Sequence, residues 1–107
     1  KAYAKLHGSY SAIRAGDAAL AIADLLGAPY KKLQNLPEWD DKPKLFQVLK
    51  KADEDDHLMA LGTPGVQGGT DALSQQYSDV GLATGHAYSL LRVKAPQSHQ
   101  LCMIRNP

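Results

Sequence analysis

The chain has 107 residues, enough for about one small domain with a core of modest size. Its net charge is +1 with basic and acidic residues interspersed, so it lacks the clustered basic face that nucleic-acid binding requires. Its longest apolar run, 18–26, is interrupted by Asp24 and falls far short of a membrane span. A single cysteine cannot form an internal disulfide, which favours a reducing compartment, and we expect a cytoplasmic location.

The first third of the chain has the pattern of helices. Asp17 is a candidate N-cap and Gly27 a candidate C-terminal stop for a helix over 18–26. That helix is apolar nearly all round, which predicts burial against elements that this sequence does not evidently supply. Ahead of it, with Gly8 as a weak point, a set of large apolar side chains recurs at helical spacing: Tyr3, Leu6, Tyr10 and Ile13.

A third helix is predicted after an irregular connector over 31–39. Asp40 or Asp41, followed by Pro43, indicates its start. The acidic run 53–56 is unfavourable at the negative end of a helix dipole, so we expect the helix to end there, solvated. The run lacks the alternating ligands and central glycine of an EF-hand loop, so no calcium site is predicted in it. The apolar stripe of the helix is Leu45, Val48, Leu49 and Ala52.

The second half of the chain has the pattern of strands and loops. The polar stretch 71–79 predicts one short turn of helix or none, and the glycine-rich stretch 62–69 predicts a surface loop near substrate. Helices followed by strands predict an α+β fold with a subdomain junction near 27–29. The predicted strands are 58–61, 82–93 and 100–105.

The last two predicted strands carry the strongest candidate site. Residues 86 and 106 have their midpoint at Pro96, inside the turn-like stretch 94–99. A symmetric antiparallel hairpin therefore places His86 opposite Asn106, on the same face and within side-chain reach. A histidine held by an asparagine amide is the general-base half of a Cys-His-Asn protease site. The simpler alternative is a structural histidine in a strand.

No nucleophile for this pair is evident in the chain. Cys102 lies four residues from Asn106, or about 13 Å along a strand, whereas proton transfer needs about 3 Å. We therefore predict that Cys102 is a small buried hydrophobe. No zinc site is predicted, because the spacing of the other histidines does not match a zinc-binding motif and a single cysteine cannot complete one. Those histidines are His7, His57 and His99.

Two motifs at the C-terminal end resemble those of a known family. Gly85-His86-Ala87-Tyr88-Ser89 resembles the catalytic-histidine motif of the calpain family of papain-like cysteine proteases, and Arg105-Asn106-Pro107 resembles the start of that family's Arg-Asn-Pro-Trp-Gly motif. Near the N-terminus, residues 1–6 and 8–10 resemble the helix that precedes those motifs. The match is poor over the stretches 31–39 and 62–79.

The resemblance implies a papain-like fold of two lobes. Residues 1–27 would be the C-terminal end of the helical lobe, and residues 28–107 the N-terminal part of the β-rich lobe. It implies that His86 is the catalytic base, that Asn106 orients it, and that the nucleophilic cysteine lies upstream in the helical lobe. The parent would be an intracellular endopeptidase acting on proteins or peptides. This segment alone is expected to be inactive, and it carries no cofactor.

The sequence departs from the family's pattern in three places. The family's glutamine-and-cysteine motif and the tryptophan and glycine after Pro107 lie outside the sequence, so both ends look cut. Ser11 stands where the family carries a glutamate implicated in calcium binding. A serine hydroxyl supplies no formal charge, so we expect calcium binding by the parent to be weaker at that site.

Two other readings stay open at this point. A catalytically inactive calpain-like module that binds or scaffolds partners would retain this segment unchanged if it had lost the upstream cysteine. An unrelated α+β binding domain with a coincidental motif predicts that the side chains of His86 and Asn106 are more than about 5 Å apart.

Overall fold

The computed structural model describes residues 1–33, 37–65 and 72–107 and confirms the predicted α+β fold. The chain divides into two compact units, Lys1–Leu33 and Gln34–Pro107. None of the described helices is long and apolar enough to cross a membrane. The helices are α1 (Ala2–Leu6), α2 (Ala18–Leu26), α3 (Lys42–Glu54) and α4 (Ala72–Asp79); the strands are β1 (Met59–Gly62), β2 (Ala87–Lys94) and β3 (Leu101–Arg105); short 3₁₀ turns span Ser11–Ile13, Pro37–Trp39 and Pro96–Ser98.

The first unit is helical, and its second helix begins and ends where the sequence predicted. The carboxylate of Asp17 accepts hydrogen bonds from the amides of Ala19 and Leu20 at 2.8 and 3.3 Å, and Gly27 ends α2 with a left-handed φ of +66°. The first helix is shorter than its apolar spacing suggested, because the chain leaves the helix at His7 and Gly8 has φ +91°.

Helix α2 is only partly buried, although its apolar surface predicted burial. It has no buried residue, and the side chain of Leu25 is 75% exposed. Polar contacts link it to α1: the Asp24 carboxylate lies 2.8 Å from Nε2 of His7 and accepts a hydrogen bond from the hydroxyl of Tyr3 at 3.2 Å. The described residues of the chain therefore cover the apolar surface of α2 only in part.

Helix α3 begins at the predicted cap and ends inside the acidic run. The Asp41 carboxylate accepts a hydrogen bond from the amide of Lys44 at 3.0 Å, and Pro43 stands in the first turn. The expectation of a fully solvated acidic end was wrong for Asp53, which is only 6% exposed. Helical periodicity turns this one carboxylate towards β2, where Arg92 and the amide of Val93 accompany it.

The second unit is a three-stranded antiparallel sheet with the order β1-β2-β3, and α3 packs against the central strand β2. Phe46 from α3 and Leu90 and Val93 from β2 form its buried core. The sequence stripe correctly included Leu49 but missed Phe46. The partly buried side chains around that core are Leu49, Met59, Leu61 and Ile104.

The segment between β1 and β2 differs from the prediction. Helix α4 has eight residues where at most one short turn was expected. On the surface of this helix, the side-chain amide of Gln75 donates a hydrogen bond of 2.7 Å to the carboxylate of Asp79, one turn away. The predicted strand from residue 82 begins only at Ala87. Half of the predicted glycine-rich loop 62–69, residues 66–69, lies outside the described residues.

A β-bulge interrupts the pairing of β2 with β3. Val93 faces Cys102 and Arg92 faces Met103, but Leu90 faces Ile104, so β2 has one extra residue at this point. The burial of β2 follows the same interruption, because the buried positions are Tyr88, Leu90 and Val93 rather than every second residue. The sequence prediction of a symmetric hairpin did not include this bulge.

Candidate active site

His86 and Asn106, the two predicted site residues, are in direct contact. Nε2 of His86 lies 2.6 Å from Oδ1 of Asn106. Each residue stands just outside a strand: His86 precedes β2 and Asn106 follows β3. The separation is far below the 5 Å or so that a coincidental motif predicted, and it is the length of a short hydrogen bond.

The contact is diagonal rather than directly opposite. Ser89 faces Arg105, so continuation of the pairing sets Asn106 across from Tyr88, two residues beyond His86. A shift by two keeps side chains on the same face of a sheet, and diagonal neighbours remain within reach of a ring and an amide. The symmetric register predicted from sequence was therefore wrong by two residues, without changing the face.

The bulge in β2 determines which face Asn106 occupies. If the pairing of Val93 with Cys102 continued without the extra residue, Asn106 would lie across from Ser89. Neighbouring strand residues point to opposite faces, so the amide would then be turned away from His86. One inserted residue at the bulge restores the face that His86 shares with Tyr88 and Leu90.

The amide contact defines the chemical state of the imidazole. Oδ1 of Asn106 can only accept a hydrogen bond, so this contact selects the tautomer with a proton on Nε2, in which Nδ1 has the lone pair of the neutral ring. The ring of Tyr88 meets the imidazole edge-on, with centroids 4.9 Å apart and planes at 85°. Asn106 and Tyr88 therefore contact the ring on two sides. Because His86 is only half-buried, the ring remains accessible to solvent.

Thr63, which the sequence analysis did not single out, is bonded to the backbone of His86 through two polar atoms, its amide nitrogen and Oγ1. It stands one residue beyond β1, and because Gly62 pairs with Ala87, Thr63 faces His86. The Thr63 amide donates to the carbonyl of His86 at 2.9 Å, and the His86 amide donates to Oγ1 of Thr63 at 3.0 Å. The Thr63 hydroxyl donates to the carbonyl of Ala83 at 2.7 Å. Only the β1–β2 register identifies this contact, so the sequence alone carried no signal for it.

The turn ahead of His86 is fixed by further hydrogen bonds. The amide of Ala83 donates to the hydroxyl of Tyr88 at 2.8 Å, and the amide of Gly85 donates to the carbonyl of Pro64 at 2.7 Å. Gly85 has φ +59°, and a Cβ at that position would lie 3.5 Å from the Cα of Gly65. Its left-handed backbone favours glycine, which accounts for the residue next to the histidine.

Cys102 is not buried, contrary to the prediction. It faces Val93 in the sheet and is exposed. Among the described residues, the partly buried side chains that pack on the core include only Ile104 from β3, which explains why the rest of that strand stays open. Desolvation by the neighbouring groups nevertheless raises the pKa of the Cys102 thiol above its ordinary value, which disfavours the thiolate. Its place at the far end of β3 from Asn106 agrees with its exclusion as a nucleophile.

Within residues 1–33, 37–65 and 72–107, no three His, Cys, Asp or Glu side chains lie close enough together to hold a metal ion. Of the other histidines, His7 pairs with Asp24 in the first unit. The residues of the candidate site are thus a histidine, an amide and two hydroxyl side chains, a set suited to acid–base chemistry.

The sequence model of the family described as "Calpain family cysteine protease" matches residues 1–107. The chain is 36% identical over 111 residues to the calpain-type cysteine protease DEK1 of Zea mays, covering all of this chain and 5% of that protein. It is 37% identical over 97 residues to Calpain-A of Drosophila melanogaster, covering 87% of this chain and 10% of that protein. It is 33% identical over 113 residues to Calpain-9 of Homo sapiens, covering all of this chain and 15% of that protein.

The chain therefore spans a small share of the length of these relatives. No solved structure gave a significant match. The helices and three-stranded antiparallel sheet agree with the fold class that the matching family implies.

Proposed function

Because the chain belongs to the calpain family of cysteine proteases, we propose that it supplies the histidine base and the asparagine orienter of a Cys-His-Asn catalytic triad. His86 is the base and Asn106 the orienter. The nucleophilic cysteine comes from another segment of the protein, since Cys102 is the only cysteine of this chain. The substrates are proteins or peptides, and the cysteine belongs to the upstream, helical lobe of the protease.

The hydrogen bond of 2.6 Å between His86 and Asn106 is the observation that carries the proposal. With Nε2 bound to the amide oxygen, Nδ1 takes the proton of the incoming thiol and leaves a thiolate–imidazolium pair. The thiolate attacks the peptide carbonyl, and the imidazolium returns its proton to the leaving amine. Asn106 keeps the ring in one orientation through both steps and adds no charge to it.

The described residues show no evident ligand set for calcium. Ser11 opens a short 3₁₀ helix and carries no charge, and the described residues contain no cluster of metal-ligating side chains. Calcium binding by the intact protease remains part of the proposal, with Ser11 weakening one of its sites. A cytoplasmic location and the division of the chain between two protease lobes, at residues 27 and 28, belong to the same proposal.

The test compares two variants of the full-length protein in the hydrolysis of a fluorogenic peptide. His86→Ala should lower kcat to background, because a general base contributes a factor of about 10²–10⁴ and no other group replaces it. Asn106→Ala should lower kcat only about tenfold, the equivalent of one hydrogen bond of about 1.4 kcal/mol.

His99→Ala is the matched control, because His99 lies in the connection at the other end of the β2–β3 hairpin from His86 and Asn106. Its turnover should equal that of the unmodified protein. Undiminished turnover in His86→Ala would eliminate His86 as the base. Sequencing the nucleophile position separates the protease from the inactive binding module, since any residue other than cysteine there is incompatible with catalysis by this triad.

A further inference from the structure

The backbone of His86 is anchored on both of its polar groups by one residue. The amide and the carbonyl of His86 bond to Oγ1 and to the amide of Thr63 at 3.0 and 2.9 Å. The single hydroxyl proton of Thr63 is directed to the carbonyl of Ala83 at 2.7 Å, which is shorter than the alternative of 3.2 Å to the carbonyl of His86. Thr63 therefore ties two points of the turn 83–86 to the end of β1.

The turn needs this anchor because it lies outside the sheet. The strand β2 begins only at Ala87, so the ladder itself does not hold residues 83–86. Asn106 contacts only the tip of the imidazole, at Nε2. The position of the ring's other nitrogen, Nδ1, depends on the direction of the Cα–Cβ bond of His86, and the contacts to Thr63 set that direction.

A lost hydroxyl would leave specific groups without partners. In Thr63→Val, a side chain of the same shape remains, but the amide of His86 and the carbonyl of Ala83 each lose a hydrogen bond. Both groups are then free to rotate towards water. A shift of about 1 Å in a catalytic group is enough to cost about 10²-fold in rate.

We propose that Thr63 is the positioning residue of the active site, whose hydroxyl fixes the backbone of His86 so that Nδ1 meets the incoming thiol. This inference rests on the proposed function of His86 as the base. Thr63 itself touches neither substrate nor the reacting atoms. Its role is to hold the histidine, and it acts through the turn 83–86.

The experiment uses the full-length protein with Thr63→Val, Thr63→Ser and His86→Ala. Thr63→Val should lower kcat by about 10–100-fold with little change in KM, because substrate binding does not use the hydroxyl. Thr63→Ser keeps the hydroxyl and should retain most of the activity. The second readout is the rate at which a peptidyl alkylating reagent labels the nucleophilic cysteine, measured from about pH 4 to about pH 10. This range includes the ordinary pKa values of imidazoles and thiols.

In Thr63→Val, the labelling profile should move to higher pH, towards that of an ordinary thiol, because the thiolate–imidazolium pair is weakened. A merely structural role would lower the folded fraction and leave this profile unchanged. Ser9→Ala is the matched control, since the hydroxyl of Ser9 also accepts a backbone hydrogen bond, from Ala12 at 3.1 Å, in the first unit. It should keep the profile and kcat of the unmodified protein.

Wild-type kcat and an unshifted profile in Thr63→Val, with His86→Ala inactive, would overturn the role of Thr63 and leave the proposed function standing. An active His86→Ala would overturn the proposed function itself. Equal losses in Thr63→Val and Ser9→Ala would also reject a specific role for Thr63. If circular dichroism shows that Thr63→Val is unfolded, Thr63→Ala is judged by the same kcat and profile criteria.

Discussion

Two side chains next to His86 constrain it in different ways. Thr63 bonds to its backbone, whereas the ring of Tyr88 packs edge-on against the imidazole at 4.9 Å. Tyr88 is 4% exposed, and its hydroxyl accepts the amide of Ala83 at 2.8 Å. The apolar part of Tyr88 limits the rotation of the imidazole, and its polar end holds the start of the turn.

These two parts of Tyr88 can be separated by Tyr88→Phe, which keeps the ring and removes the hydroxyl. The amide of Ala83 then loses its partner, so we expect the free energy of unfolding to fall by about 1–2 kcal/mol. The kcat should fall less than in Thr63→Val, because the contact of the ring with His86 remains. Urea unfolding and peptide hydrolysis measure the two effects. A larger loss of kcat than in Thr63→Val would assign the positioning of His86 chiefly to Tyr88.

At the scale of secondary-structure elements, Asp53 connects the end of α3 to the central strand. Its carboxylate accepts the amide of Val93 at 3.1 Å and lies 3.4 Å from the guanidinium of Arg92 and 3.6 Å from the ammonium of Lys94. The pKa of Asp53 is lowered, chiefly by the hydrogen bond from the amide of Val93 and further by Arg92 and Lys94. These contacts together outweigh desolvation, which raises the pKa. The helix thus ends on a charged contact with the strand that leads away from the site.

Asp53→Asn tests this connection. A carboxyl whose pKa is lowered by folding stabilises the protein above its unfolded pKa, and that stabilisation is lost as the pH falls through the folded value. The variant should therefore unfold at lower urea concentration than the unmodified chain at pH 7, and the difference should shrink below the ordinary pKa of 3.8. Glu54→Gln, which removes only an exposed pair with Lys50, should change little. A difference between wild type and Asp53→Asn that grows on acidification would contradict the assignment.

Prediction from sequence succeeded where the physical cause is local. The caps of Asp17 and Asp41 and the stop at Gly27 depend on neighbouring residues, so their positions were found from the sequence. The pairing of His86 with Asn106 was found because alternation along strands tolerates a shift of two residues.

Features that depend on distant parts of the chain were missed. Asp53 is buried because β2 offers an amide and two cations, which no local pattern reveals. The role of Thr63 follows from the register of β1 with β2, and the exposure of Cys102 follows from the side of β3 that the core does not cover. The polar helix α4 was missed because its sequence lacks the apolar periodicity from which an amphipathic helix is predicted.

For the whole molecule, the candidate site and the hydrophobic core belong to the same unit. Phe46, Leu90 and Val93 form the core between α3 and the sheet. The strand β2, which carries Leu90 and Val93, begins next to His86, and β3, whose Ile104 packs on the core, ends next to Asn106. The geometry of the site therefore depends on the packing of a small number of side chains. By contrast, α2 in the first unit has no buried residue.

Phe46→Ala should lower the free energy of unfolding by about 3–5 kcal/mol, because it removes a buried ring from a small core. Urea unfolding followed by the fluorescence of Trp39, the single tryptophan of the chain, measures this loss. Leu101→Ala is the control, since Leu101 is 53% exposed and should cost much less. Similar losses in both variants would show that the energetic core is not the cluster around Phe46.

The bulge in β2 makes the hairpin unequally tolerant of changes in chain length. At its tip, Gln97 and Ser98 already have positive φ angles, and the pairing on either side is set by the strands, so peptide tags can be spliced in there without altering the active site. Between Cys102 and Asn106 there is no such freedom. One added or deleted residue would cancel the effect of the bulge and present the amide of Asn106 on the opposite face from His86.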